Sequence, residues 1–162
     1  MRAHKINIER SANLDVSRLN ILCRRAIRAT LQSEGVDICC TVDILFTNDK
    51  GMRVINQEKR GIDKSTDVLS FPLNTFTPGA FQAQPEDIDP ETGRLHLGDI
   101  VVSVDHVKQQ AREYGHDTTR ETAYLIVHAT LHLLGYDHEE EGAKRAMRMR
   151  EEYILSALGQ TR

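Results

Sequence analysis

Apolar positions fall into short alternating runs and longer stripes of helical spacing, and their order predicts a mixed fold. Ile6 and Ile8 alternate with polar neighbours, which reads as a short first strand. Over residues 17–34, Leu19, Leu22, Cys23, Ala26, Ile27, Thr30 and Leu31 recur every three or four positions, the mark of a helix burying one face. Gly35 is placed to stop that helix. Val42, Ile44 and Phe46 alternate again, giving a second strand over 38–46. A short helix over 48–59 follows, capped by Asn48 and with Gly61 just beyond its end.

Residues 66–71 read as a third strand closed by Pro72, and Ile100, Val101 and Val102 lie in a fourth. Between them, residues 73–94 hold Pro78, Pro85, Pro90, Gly79 and Gly93, a long loop of the kind that is more often functional or mobile than neutral. A helix over 104–114 should stop at Gly115. Thr118-Thr119-Arg120-Glu121 has capping-box spacing, so another helix should start there. It is apolar almost all round from Ala123 to Leu134, as a buried central helix must be, and Gly135 ends it. Ala143, Ala146, Met147, Arg150, Ile154, Ala157 and Leu158 mark one face of a last helix. The order β-α-β-α-β-β-α-α-α predicts one α+β domain over residues 1–162: a small mixed four-stranded sheet packed with about five helices.

Composition narrows the function classes. The 162 residues are 40% hydrophobic and 28% charged, as in a folded globular protein, and without tryptophan the core must be mostly aliphatic. A net charge of −3 counts against a high-affinity, non-specific DNA coat protein, although a local basic patch can still hold RNA. Cys23, Cys39 and Cys40 are too few for a disulfide framework or a thiolate zinc cluster and read as small hydrophobes of a reducing compartment. No segment has the length and apolarity of a signal peptide or membrane span, so a cytoplasmic protein without a membrane partner is expected.

The chemistry concentrates in His128-Ala129-Thr130-Leu131-His132-Leu133-Leu134-Gly135-Tyr136-Asp137-His138. Residues four apart on a helix share a face, so His128 and His132 can aim two imidazoles at one point. Gly135 permits the left-handed turn that returns His138 with a third nitrogen. Three neutral nitrogens with one open position is the catalytic zinc pattern, where a structural site is closed by four ligands. One zinc ion per chain is expected, although imidazole sites also take nickel, copper or iron. His4, His96, His106 and His116 lack such spacing and read as satisfied histidines.

The same spacing occurs in metzincin proteases, which carry glutamate as general base directly after the first histidine. Here Ala129 stands there, and a methyl group takes no proton from water. Glu139, Glu140 and Glu141 follow the third histidine, where acids complement the dipole of an opening helix. A metalloprotease and a non-catalytic, ribosome-associated metal-binding factor are the alternatives to the reading that follows.

The segment His128 to His138 resembles the signature of the YbeY family of bacterial metal-dependent endoribonucleases. The resemblance extends to Asn56-x-x-x-Arg60, to Thr66-Asp67-Val68-Leu69-Ser70-Phe71-Pro72, to Leu97-Gly98-Asp99-Ile100 and to Gln110-Ala111, and covers roughly residues 40–158. The family usually has glycine at the position of Ala129 and an aromatic at that of Lys59. The resemblance implies cleavage of single-stranded RNA, with roles in maturing the small-subunit rRNA 3′ end and in ribosome quality control. Its partners would be ribosomal RNA and the small ribosomal subunit, not DNA.

Arg60 is the expected catalytic cation, because a planar guanidinium suits a phosphate on which charge develops. Asp67, Asp99 and Asp137 are candidates for orienting the imidazoles by hydrogen bonds. Arg24, Arg25 and Arg28, and then Lys144, Arg145 and Arg148, are clustered on two predicted helices and are candidate RNA contacts.

Overall fold

A computed structural model describes residues 3–11 and 14–160. Its strands are β1 (Lys5–Arg10), β2 (Cys40–Thr47), β3 (Val68–Pro72) and β4 (Leu95–Ser103). Its α-helices are α1 (Ser17–Ser33), α2 (Asp49–Arg60), α3 (Val104–Tyr114), α4 (Thr118–Leu133) and α5 (Glu141–Ala157). The strands form one sheet in the order β1-β2-β4-β3, with β1, β2 and β4 parallel and β3 antiparallel to β4. The expected α+β fold with a mixed four-stranded sheet and five helices is therefore present.

Period two along the strands divides the core between the faces of the sheet. Val42, Ile44 and Phe46 of β2, with Ile100 and Val102 of β4, bury themselves among Ala26, Ile27 and Leu31 of α1 and the apolar body of α4. On the opposite face Met52 of α2 meets Leu69 and Val101, with Leu45, Ile55 and Phe71 at their edge. Eleven of the sixteen residues of α4 are buried, so α4 is the central helix that its all-round apolarity predicts. Each aliphatic side chain fully withdrawn from water contributes roughly 1.5–3 kcal/mol, which anchors α4 firmly enough to carry a site. Cys23 and Cys40 are buried in this core, and burial pushes both thiols up to about 12, so they act as small hydrophobes.

Several expectations need correction. The cap of α4 is Asp117, which accepts from Arg120 N at 2.9 Å, and not Thr118; Glu121 turns instead to His116. On α5 the buried residues are Met147, Glu151, Ile154 and Leu155, whereas Ala146 and Ala157 are exposed. Strand β4 holds Ile100, Val101 and Val102 as expected and begins at Leu95, directly after the loop; what the spacing does not show is its bulge, where the pairing with β2 shifts between Thr41 and Val42. Gly98 supplies that irregularity at φ +147, and its α-carbon lies so close to β3 that a Cβ would stand 2.2 Å from the Phe71 carbonyl oxygen. Strand β3 starts only at Val68, since the Asp67 carboxylate accepts from Val68 N and holds a turn. Pro72 ends β3 as expected and is itself the last residue of the strand, which an edge strand tolerates.

The long connection from β3 to β4 is anchored. Phe76 is buried and packs on Phe81 with ring centroids 5.0 Å apart, while Thr77 bridges to Ala80 and Ile88 to Leu95. Its placement matters for the site, because the Phe76 carbonyl lies directly against the turn that follows α4.

Candidate metal centre

The last turns of α4 present His128 and His132 one above the other. The helix closes with Gly135 N donating to His132 O at 3.0 Å and Tyr136 N to Leu131 O at 3.1 Å, with Gly135 at φ +99. That left-handed residue reverses the chain and brings His138 back. One nitrogen from each of the three imidazoles lies within 4.8 Å of the others, so the group can hold a metal ion. The Nε2 atoms of His128 and His132 are 3.1 Å apart. Two nitrogens at ~2.0–2.1 Å from one tetrahedral ion would be about 3.3 Å apart, so the pair needs almost no movement to share one.

The outer ring nitrogens explain how this is held. His128 Nδ1 donates to Glu151 Oε1 at 2.5 Å, and His132 Nδ1 donates to the Tyr136 carbonyl oxygen at 2.7 Å. With both Nδ1 protonated, the neutral rings face each other with two lone pairs, an arrangement that a cation between them relieves. Burial first, and then the neighbouring His128, lowers the His132 pKa to about 4, so this imidazole is neutral at physiological pH, as a metal ligand must be. The Tyr136 hydroxyl donates to Glu34 Oε2 at 2.7 Å, and Arg150 Nε donates to Glu34 Oε1 at 2.7 Å. Through Tyr136 the carbonyl that orients His132 is thus tied to α1 and α5.

Sequence reasoning missed Glu151, the carboxylate that orients His128. A signal was present: Glu151 follows Met147 by four and precedes Leu155 by four, an acid in the apolar stripe of α5. The three acids expected in that role have other partners. Asp67 accepts from Val68 N and Gln110 Nε2, Asp137 accepts from Glu139 N in the turn, and Asp99 stands beside His96 and Asp43. Burial and the Asp43 carboxylate raise the Asp99 pKa.

Of the other histidines, His4 accepts from Cys40 N, His106 pairs with Asp49 and His116 with Glu121, all as satisfied side chains. His96 departs from that reading, since it forms a second group of potential ligand atoms with Asp43 and Asp99. Three residues apart on a strand, His96 and Asp99 would face opposite ways. The bulge at Gly98 puts them on one side.

A cleft of about 550 Å³ runs from His128 and His138 between α4 and α5. Arg120, Lys144 and Arg148 supply its cations, and the Tyr124 ring stacks on His128 with centroids 5.8 Å apart. Arg60 does not line this cleft. It is the exposed last residue of α2, with Nη1 reaching Asn56 Oδ1 at 3.4 Å. Arg24 donates to the Ile6 carbonyl and lines a separate groove with Lys59 on the α2 face of the sheet. Arg25 and Arg28 are exposed on α1 and Arg145 on α5. Ala129 is fully buried, so the core accommodates its methyl group between His128 and His132 on α4.

Residues 5–159 match the model of the family described as endoribonuclease YbeY. The endoribonuclease YbeY of Agathobacter rectalis is 42% identical over 160 residues, covering 96% of this chain and 95% of that protein. That of Caldanaerobacter subterraneus subsp. tengcongensis is 45% identical over 154 residues, covering 93% and 94%. Among solved structures, a Thermotoga maritima protein determined in solution superposes with a TM-score of 0.58 at 24% identity, over 95% of this chain and 91% of that one, a likeness of fold alone.

Proposed function

The chain belongs to the YbeY endoribonuclease family, and from that premise we propose a zinc-dependent endoribonuclease, one domain over residues 1–162, that cuts single-stranded RNA. Its place is in maturation of the small-subunit rRNA 3′ end and in ribosome quality control, in the cytoplasm. Among the described residues no helix is long and apolar enough to cross a membrane. The observation that carries the metal assignment is the 3.1 Å approach of two Nε2 atoms whose rings both spend their Nδ1 protons elsewhere.

Three neutral nitrogens with an open fourth position fit zinc. When bound, the ion supplies a Lewis acid for a phosphoryl oxygen and lowers the pKa of water toward ~7. His128, His132 and His138 hold it, with Glu151 and the Tyr136 carbonyl fixing the ring planes. Arg60 is the cation assigned to phosphate: its guanidinium is exposed, and its bond to Asn56 at 3.4 Å is long enough to give way to a charged acceptor. Peptide hydrolysis by the metzincin route lacks its base, since the position after the first histidine is the buried methyl of Ala129.

The test is cleavage of a labelled single-stranded RNA by purified protein, beside His132→Ala and a chelated sample. Loss in both controls is the expected result. Equal cleavage in all three assigns the activity to a contaminating nuclease, and chelator-sensitive peptide cleavage without RNA cleavage replaces this reading with the protease. Arg60→Ala should lose RNA cleavage while keeping its metal; full activity removes Arg60 from the mechanism.

A further inference from the structure

The cleft between α4 and α5 has a regular construction. On α4, Arg120, Tyr124 and His128 follow one another by four; on α5, Lys144, Arg148, Glu152 and Ser156 do the same. Side chains four apart on a helix stand one above another, so each wall is a single stripe and Met147, Glu151 and Leu155 make the floor. The stripe from Lys144 to Ser156 extends about 18 Å along the helix axis. The metal centre opens into the cleft through His128 and His138.

The charges in it are unlike those of the whole chain, which is net acidic at −3. Three cations line it against two carboxylates. One of those, Glu151, is engaged with His128. The other, Glu152, stands 3.6 Å from Arg148 with both side chains about two-thirds exposed, an ion pair too solvated to hold the guanidinium against a phosphate. Cations at Lys144 and Arg148 are one helical turn apart, roughly 5–6 Å between their Cβ atoms, a separation that lets each meet a different phosphate of an extended strand. Tyr124 lies between these cations and Arg120, with its ring plane set by the stack on His128 at 29°.

We propose that this cleft is the binding track for the single-stranded RNA substrate where it passes the metal. Lys144 and Arg148 hold its phosphates and Tyr124 supports a base. A space of about 550 Å³ accommodates about one or two nucleotides. The assignment rests on the endoribonuclease reading and adds to it the surface along which the strand passes the metal. Charge alone would also suit an acidic peptide. The aromatic ring between the cations favours a nucleic acid, since every base offers a face to stack.

The experiment is fluorescence anisotropy of a short labelled 2′-O-methyl RNA, checked by gel to be intact after each titration, on the metal-loaded full chain over a range of salt. Neutralising both cations in Lys144→Ala/Arg148→Ala should flatten the slope of log affinity against log salt by about 1.4, two phosphates at ~0.7 each. Tyr124→Ala should weaken binding roughly 5- to 150-fold, the loss of one stacked base, and Tyr124→Phe should restore it. Metal content, circular dichroism and melting confirm that each variant is folded and loaded. Unchanged slope and affinity in the double variant overturn the track, as does an oligoglutamate that competes as well as RNA. If the wild-type protein cuts RNA normally while the double variant binds like it, only the track falls. If the wild type neither binds nor cuts RNA, the endoribonuclease reading falls with it.

Discussion

Glu151 on α5 accepts the Nδ1 proton of His128 on α4 at 2.5 Å, and its carboxylate is almost fully buried to do so. A buried acid costs stability unless it is paired, so the contact is tied to the imidazole it orients. Glu151→Gln keeps the size of the side chain and removes the charge that fixes the tautomer. Metal affinity should fall about 10- to 100-fold, the usual effect of losing such a partner, read by chelator competition. An unchanged affinity would make the contact purely a helix-packing device.

Acid should unfold the metal-stripped protein through His132. Burial first, and then His128, lowers its folded pKa from 6.5 to about 4, so across that window the unfolded chain binds the proton and the folded chain does not. Stability from this group is therefore complete above 6.5, declines as pH falls, and is lost by about 4. Its full size is at most about 3 kcal/mol, less the share screened by water at the exposed edge of the ring. Denaturant melts from neutral pH downward should show that slope, and His132→Leu should flatten it. A slope unaltered by the substitution would place the acid sensitivity elsewhere.

Two glycines should respond oppositely to alanine. Gly135 is at φ +99, and a Cβ there would stand 2.1 Å from the Phe76 carbonyl oxygen, so Gly135→Ala must move either the loop or the turn that delivers His138. A cost of about 1–3 kcal/mol and weakened metal binding are expected together. Gly142 lies in the first turn of α5, where a Cβ would meet nothing within 4 Å, and Gly142→Ala should stabilise by up to about 1 kcal/mol. Thermal melts of the two variants check both signs.

What the sequence revealed was what short-range periodicity encodes. The face shared by His128 and His132, the stop at Gly135 and the all-apolar α4 are local facts, and each is in the structure. The orienting groups are not local. Glu151 comes from the next helix, and what orients His132 is a backbone carbonyl, which carries no residue-type signal. The bulge at Gly98 likewise depends on register with β2, so sequence spacing alone sets His96 apart from Asp99. The Thr118 cap failed because Asp117, one residue earlier, is an equally good acceptor and is the one the turn after Gly115 presents.

One metal ion per chain is expected at equilibrium, although the described residues hold two groups of potential ligands. Asp43, His96 and Asp99 keep 38%, 43% and 49% of their side-chain surface in water, and His96 Nε2 already pairs with Asp43 at 2.9 Å. An ion there would displace that contact while its ligands remained hydrated and mobile. His128 and His132 are more enclosed, their planes are fixed from behind, and their lone pairs converge without an ion pair to break. Metal analysis after exhaustive dialysis should therefore give one equivalent for the wild type and for His96→Ala, and close to none for His132→Ala. Two equivalents in the wild type, reduced to one by His96→Ala, would show that the bulged strand edge holds an ion as firmly as the buried histidines do.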